Sequence, residues 1–67
     1  MGDRLLSWDE VSARTTVPVP TLRLWRAHGR GPFSFKLGGR VVFKESDVEA
    51  WIEANYAQAR GGRHAAA

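Results

Sequence analysis

The segment Thr15-Thr16-Val17-Pro18-Val19-Pro20 constrains this chain more than any other, because no helix runs through it. Each proline removes a backbone donor and disfavours the α region at the residue before it. The sequence on either side is helical in pattern, so the break predicts a helix, a tight turn and a second helix. Upstream, Ser7-Trp8-Asp9-Glu10 has the spacing of a capping box, in which Ser7 and Glu10 each accept from the other's amide. Leu6 before the cap and Val11 after it form a hydrophobic staple. The first helix therefore starts at Ser7 and ends near Arg14 or Thr15. Proline is tolerated in the first turn of a helix, where amides lack partners anyway. The second helix thus starts at Val19 or Pro20 and runs through His28, with Gly29 as a left-handed stop.

Arg30-Gly31-Pro32 reads as a linker. Phe33-Ser34-Phe35-Lys36-Leu37 then alternates apolar and polar, the period of a half-buried strand. Gly38-Gly39 signals a hairpin, and Arg40-Val41-Val42-Phe43-Lys44 returns. A two-residue loop would set Arg40 opposite Leu37. A three-residue loop, Gly38-Gly39-Arg40, pairs Leu37 with Val41 and Phe35 with Phe43. The longer loop is preferred because it collects the apolar residues on one face and leaves Lys36 opposite Val42 on the other. Ser46-Asp47-Val48-Glu49 is a second capping box, so a third helix begins at Ser46. Val48, Trp51, Ile52 and Tyr56 form its apolar stripe, while Asp47, Glu49 and Glu53 face water. This helix fades near Arg60. The expected organisation is a flexible N-terminus over 1–4, one domain over 5–58 and a disordered tail over 59–67. The fold class is mainly α with a small β-hairpin: a winged helix-turn-helix with the second helix in the recognition position.

Size and composition narrow the function. Sixty-seven residues allow one small domain, which buries only about 60% of its unfolded surface. That leaves no room for a substrate domain or a cofactor cradle. Cysteine is absent and the two histidines, His28 and His64, lie far apart, so neither a thiolate nucleophile nor a zinc site is expected. No Gly-rich phosphate loop occurs, and the serines at 7 and 46 are read as caps. No apolar run is long enough for a membrane span, and the first residues lack a signal-peptide core. The expectation is a non-enzymatic binding module in the cytoplasm, associated with the nucleoid, without cofactor, metal or small-molecule ligand.

The net charge of +3 conceals segregation. Residues 11–44 hold Arg14, Arg23, Arg26, Arg30, Lys36, Arg40 and Lys44 and no acid, whereas both flanks are net acidic. Such a block is the electrostatic footprint of a polyanion partner. At 100° per residue, Leu22 and Trp25 define the buried face of the second helix. Pro20, Arg23, Leu24 and Ala27 point away, and Thr21 and Arg26 lie on the borders. Arg23, aimed outward, suits a bidentate contact to guanine in a major groove. Arg26 and Thr21 are better placed for phosphates. Leu24 either faces outward, toward thymine methyls or a neighbouring protomer, or packs under the wing if the helix is rotated slightly. Lys36 and Arg40 ride the hairpin, where Gly38 and Gly39 permit close approach to phosphates. Arg30 and Lys44 are further candidate DNA or protomer contacts. Trp25 and Trp51 are read as core, and Trp8 as partly exposed.

Together these residues resemble a known family. Leu5-Leu6-Ser7-Trp8-Asp9-Glu10-Val11 resembles the opening of small excisionase-like winged helix-turn-helix proteins. Thr21-Leu22-Arg23-Leu24-Trp25-Arg26-Ala27-His28-Gly29 resembles their recognition helix and is similar to that of MerR-type regulators. Lys36–Phe43 followed by Ser46–Trp51 resembles their wing and following helix. The resemblance covers about residues 5–54. It implies a recombination directionality factor that binds double-stranded DNA beside an attachment site. Such a factor bends the DNA and assists integrase in excising a phage or integrated element. It also implies cooperative head-to-tail association on DNA, with Thr21, Arg23 and Arg26 as helix contacts and Lys36 and Arg40 as wing contacts. This chain departs from the family pattern at Pro18, where a Ser or Thr cap is usual, and at Leu24, where arginine is frequent. A small MerR-like transcriptional regulator and a protein-interaction module using Leu24, Trp8 and Val42 are the alternatives.

Overall fold

The computed structural model describes residues 3–66, with side chains as far as Gly61. In order, the elements are β1 (Leu5–Leu6), α1 (Trp8–Thr15), α2 (Val19–Ala27), β2 (Phe35–Leu37), β3 (Arg40–Lys44) and α3 (Glu45–Ala66). The three strands form one antiparallel sheet in the order β1-β3-β2. This is a winged helix-turn-helix, as the element order predicted. No helix of the described residues is long and apolar enough to cross a membrane.

The start of α1 follows its local spacing. The Glu10 amide donates to Ser7 Oγ at 3.2 Å, and the Ser7 amide donates to Glu10 Oε1 at 2.8 Å. Leu6 and Val11 then enter the core at 2% and 0% exposure. The stop of α1 has a second cause besides the prolines. Thr16 caps the helix in the left-handed region at φ 63°, and its amide reaches back to the Ser12 carbonyl. The Ser12 hydroxyl ties the turn by donating to the Val17 carbonyl at 2.7 Å. Helix α2 begins without a side-chain cap. The Pro18 carbonyl accepts from the Thr21 and Leu22 amides instead. Gly29 follows the His28 cap at φ +70°, the left-handed stop expected.

A small core joins the elements: Leu6, Val11, Leu22, Phe43 and Val48 are buried, with Trp8, Val17, Trp25, Val41 and Ile52 packed around them. Each element supplies an apolar group to this cluster except β2. Trp51 is half-buried and packs on Trp25 with ring centroids 5.9 Å apart. The expected stripe on α3 runs off the end of the core, for Tyr56 is 57% exposed and carries Arg60 over its ring.

Four expectations are corrected. First, the N-terminus is tied down from Asp3 onward. The Ser46 amide donates to Asp3 Oδ1 at 3.1 Å, the Ser46 hydroxyl donates to Oδ2, and the Glu45 amide donates to the Arg4 carbonyl. Met1 and Gly2 lie outside the described residues. Second, α3 starts at Glu45, and Ser46 does not cap it. Asp3 takes both Ser46 donors, and Arg14 claims Glu49, so the second capping box is not formed. Third, α3 continues past Arg60 to Ala66 rather than giving way to a tail from residue 59. The side chains from 62 onward and all of Ala67 lie outside the described residues.

The fourth correction is the wing register. The pairs are Phe35 with Val42, Lys36 with Val41, and Leu37 with Arg40, so the loop has two residues, not three. Gly38 and Gly39 adopt φ +59° and +83°. Positive φ at both central positions makes the type I′ turn, whose twist matches that of the strands it joins. A Cβ at Gly38 would meet nothing within 4 Å, so the backbone angle and not crowding requires glycine there. The turn geometry outweighs the apolar pairing, and Leu37 is left 52% exposed. The strand itself is shorter than Phe33–Leu37, and Phe33 is 67% exposed beside Phe35.

These N-terminal contacts make stability depend on acid pH. Hydrogen bonds from the Ser46 hydroxyl and amide hold the Asp3 carboxyl below its ordinary pKa, and the Ser7 amide does the same for Glu10. A carboxylate whose pKa is lower in the folded state stabilises it above the unfolded value and loses that stabilisation as pH falls through the folded one. Melting temperature should therefore fall from about pH 5 downward. Glu10→Gln keeps a group able to complete the capping box but removes one titration, so its decline between pH 6 and pH 3 should be shallower than that of the parent. An equally steep decline would refute the assignment to Glu10.

Candidate nucleic-acid interface

The outward face of α2 is built by its helical phase. Leu22 is buried at 2% exposure and Trp25 packs against the core, which leaves Pro20, Arg23, Leu24, Arg26 and Ala27 exposed. Leu24 is 56% exposed, so it faces outward and does not pack under the wing. Thr21 lies half-buried at the border, and Arg26 sits where the helix meets the β2 approach, its Nε donating to Ser34 Oγ at 2.6 Å.

Arg23 is exposed, but it does not extend straight outward. Its guanidinium lies over the Trp8 ring, 4.8 Å from the centroid. Trp8 is in turn held edge-on against Phe43 at 5.2 Å. Sequence reasoning missed this pairing. The two residues stand on different helices, and no spacing rule connects them.

Two hollows gather the candidate residues. A groove of about 710 Å³ is lined by Trp8, Val19 and Arg23 on one side and by Leu37, Gly39 and Arg40 on the other, so helix and wing face a common space. Asp9 and Glu10 also line it. A second hollow of about 440 Å³ is lined by Arg26, Arg30 and the Gly31-Pro32-Phe33 segment. Lys36 lines neither. It pairs with Val41, whereas Arg40 pairs with Leu37, so the two wing cations leave opposite faces of the hairpin. Gly38 is exposed at the tip. Lys44 stands at the far end of β3 from the tip, opposite Leu5 and within electrostatic reach of Asp3, away from the other candidates.

The charge block survives folding with one exception. Arg14 is taken by Glu45 at 2.6 Å and Glu49 at 2.5 Å on α3. Among the described residues the one other ion pair joins Arg4 to Glu10, so Arg23, Arg26, Arg30, Lys36, Arg40 and Lys44 remain without an acid partner. Unpaired cations around a helix and a wing create a positive surface suited to a phosphate backbone. Among the described residues no group of three or more His, Asp or Glu side chains converges as a metal site.

No curated protein and no solved structure matches the chain. A family model, described as a helix-turn-helix domain, matches residues 5–56, which span β1 through the first half of α3. With helix, turn, helix and wing in this order, the chain belongs to that helix-turn-helix domain family, a DNA-binding family that includes excisionase-like proteins.

Proposed function

We propose that the protein is a sequence-specific DNA-binding excisionase, or recombination directionality factor. It binds and bends double-stranded DNA near an attachment site and assists an integrase in excising a phage or integrated element. The observation that carries the DNA reading is the groove shared by α2 and the wing, with Arg23 on one wall and Gly39 and Arg40 on the other. Arg23 reads a base edge, Arg26 and Thr21 hold phosphates, and the wing cations Lys36 and Arg40 reach the backbone or minor groove. Leu24 and Arg30 extend the contact toward DNA or a neighbouring protomer. The assignment to recombination is supported by the resemblance of residues 5–54 to excisionase-like proteins and by the family's composition.

The test begins with a labelled random duplex titrated between about 50 and 200 mM salt, where phosphate contacts make affinity fall steeply. Sites are then selected from a random pool and the bound DNA is assayed for bending by circular permutation. Cooperative occupancy of direct repeats with a bend is the expected result. An unbent inverted repeat would return the reading to a transcriptional regulator. Absence of salt-dependent binding at 50 mM would overturn the DNA reading altogether and leave the protein-interaction module.

A further inference from the structure

We propose that Trp8, the first residue of α1, is a positioning residue that holds Arg23 to read one guanine of the target. This rests on the DNA-binding reading above and adds to it the base that is read and the residue that enforces the reading.

A surface arginine samples many rotamers, and fixing it on a base edge costs conformational entropy. Here the guanidinium already lies on a shelf, 4.8 Å from the Trp8 ring centroid. The shelf is itself rigid. Its ring rests edge-on against Phe43, which is 1% exposed, and its backbone position is set by the Ser7–Glu10 capping box. A cation–π contact with an indole needs no hydrogen-bond acceptor and so leaves the guanidinium N–H donors free for one. Among the described residues no acceptor takes them, since Arg23 has neither a side-chain hydrogen bond nor an ion pair. An arginine edge with two parallel donors matches the O6 and N7 acceptors of guanine.

The acids in the groove decide between base and phosphate. Asp9 and Glu10 line the same groove as Trp8 and Arg23. Carboxylates there repel a phosphate, which carries a full negative charge, more strongly than they repel the neutral edge of a base. Phosphates are left to the wing side, at Gly39 and Arg40, and to Arg26 and Arg30 in the second hollow.

The experiment takes the preferred duplex selected by the full chain and measures affinity for every single base-pair replacement in it. At one position the parent should prefer a G·C pair by about fivefold or more, and Arg23→Ala should abolish the preference there. Trp8→Leu should cut that preference roughly two- to fivefold, the weight of an exposed cation–π contact, leaving the other positions and the salt slope unchanged. Trp8→Phe, which keeps a ring, should retain more of the preference than Trp8→Leu, and it serves if the leucine variant does not melt cooperatively. In the Arg23→Ala background, Trp8→Leu should have no further effect at that position. Ile52→Ala, which loosens the core from α3, should leave the preference intact. A Trp8→Leu loss spread evenly over all positions, or one persisting in full without Arg23, would show that Trp8 acts only through the fold and would overturn the proposal. So would an Arg23→Ala variant that keeps every base preference. A parent that binds no DNA would instead overturn the functional reading itself.

Discussion

Arg23→Ala is expected to lower affinity for the preferred duplex by at least about fivefold while the protein still melts cooperatively within a few degrees of the parent. The size is that of the bidentate base contact proposed for Arg23, worth roughly 1–3 kcal/mol of discrimination. The folding cost is small because Arg23 is exposed and its contact within the protein is the stack on Trp8, worth about 0.5–1 kcal/mol at exposed sites. The loss should therefore appear as relaxed specificity, with binding to random duplex falling far less. Competition titrations with specific and random DNA separate the two. Equal losses on both would demote Arg23 to a phosphate contact.

Phe43→Ala is expected to have the largest effect on stability. Phe43 is 1% exposed, lies opposite Leu6 across the sheet and supports the Trp8 ring. Truncating a buried phenylalanine costs about 3–5 kcal/mol through lost burial and the cavity left behind. A chain of 67 residues has a total stability of roughly 3–10 kcal/mol. The variant should lose at least about 12 °C in melting temperature or show no cooperative transition by circular dichroism. Leu37→Ala, on the same hairpin but 52% exposed, is the contrast and should melt near the parent. A Phe43→Ala protein with a nearly unchanged midpoint would contradict the core as described.

How far the sequence reveals the molecule depends on the range of each interaction. The start of α1 is legible because Ser7 and Glu10 act within one turn, and the capping box forms as the spacing requires. The face of α2 is legible because helical geometry alone separates Leu22 and Trp25 from Arg23 and Leu24. The same rule fails at Ser46 and Glu49. A correct local pattern lost its partners to Asp3 and Arg14, both distant in sequence. Strand β1 leaves no signal, for two residues cannot display a period and the spacing of Leu6 and Val11 points to a staple alone.

The wing shows local and apolar preferences in conflict. Pairing by hydrophobicity favoured a three-residue loop, but two consecutive glycines at positive φ close the hairpin one residue earlier. That shift of register divides Lys36 and Arg40 between the two faces and brings Arg40, without Lys36, into the groove with Arg23. The candidate site was thus legible as a set of cations and not as an arrangement.

By itself the sequence determined the order of the three helices and the hairpin, the helix–turn–helix break ahead of Val19, the buried and exposed faces of α2 and the basic central block. Each of these follows from covalent geometry, periodicity or the count of charges along the chain. Only the tertiary structure decided that Asp3 would take the donors of Ser46, that Glu45 and Glu49 would neutralise Arg14, and that Trp8 would lie beneath Arg23. Those contacts join residues whose separation no local rule spans, and they exist because burying Leu6, Phe43 and their neighbours in one core brings the elements that carry them together.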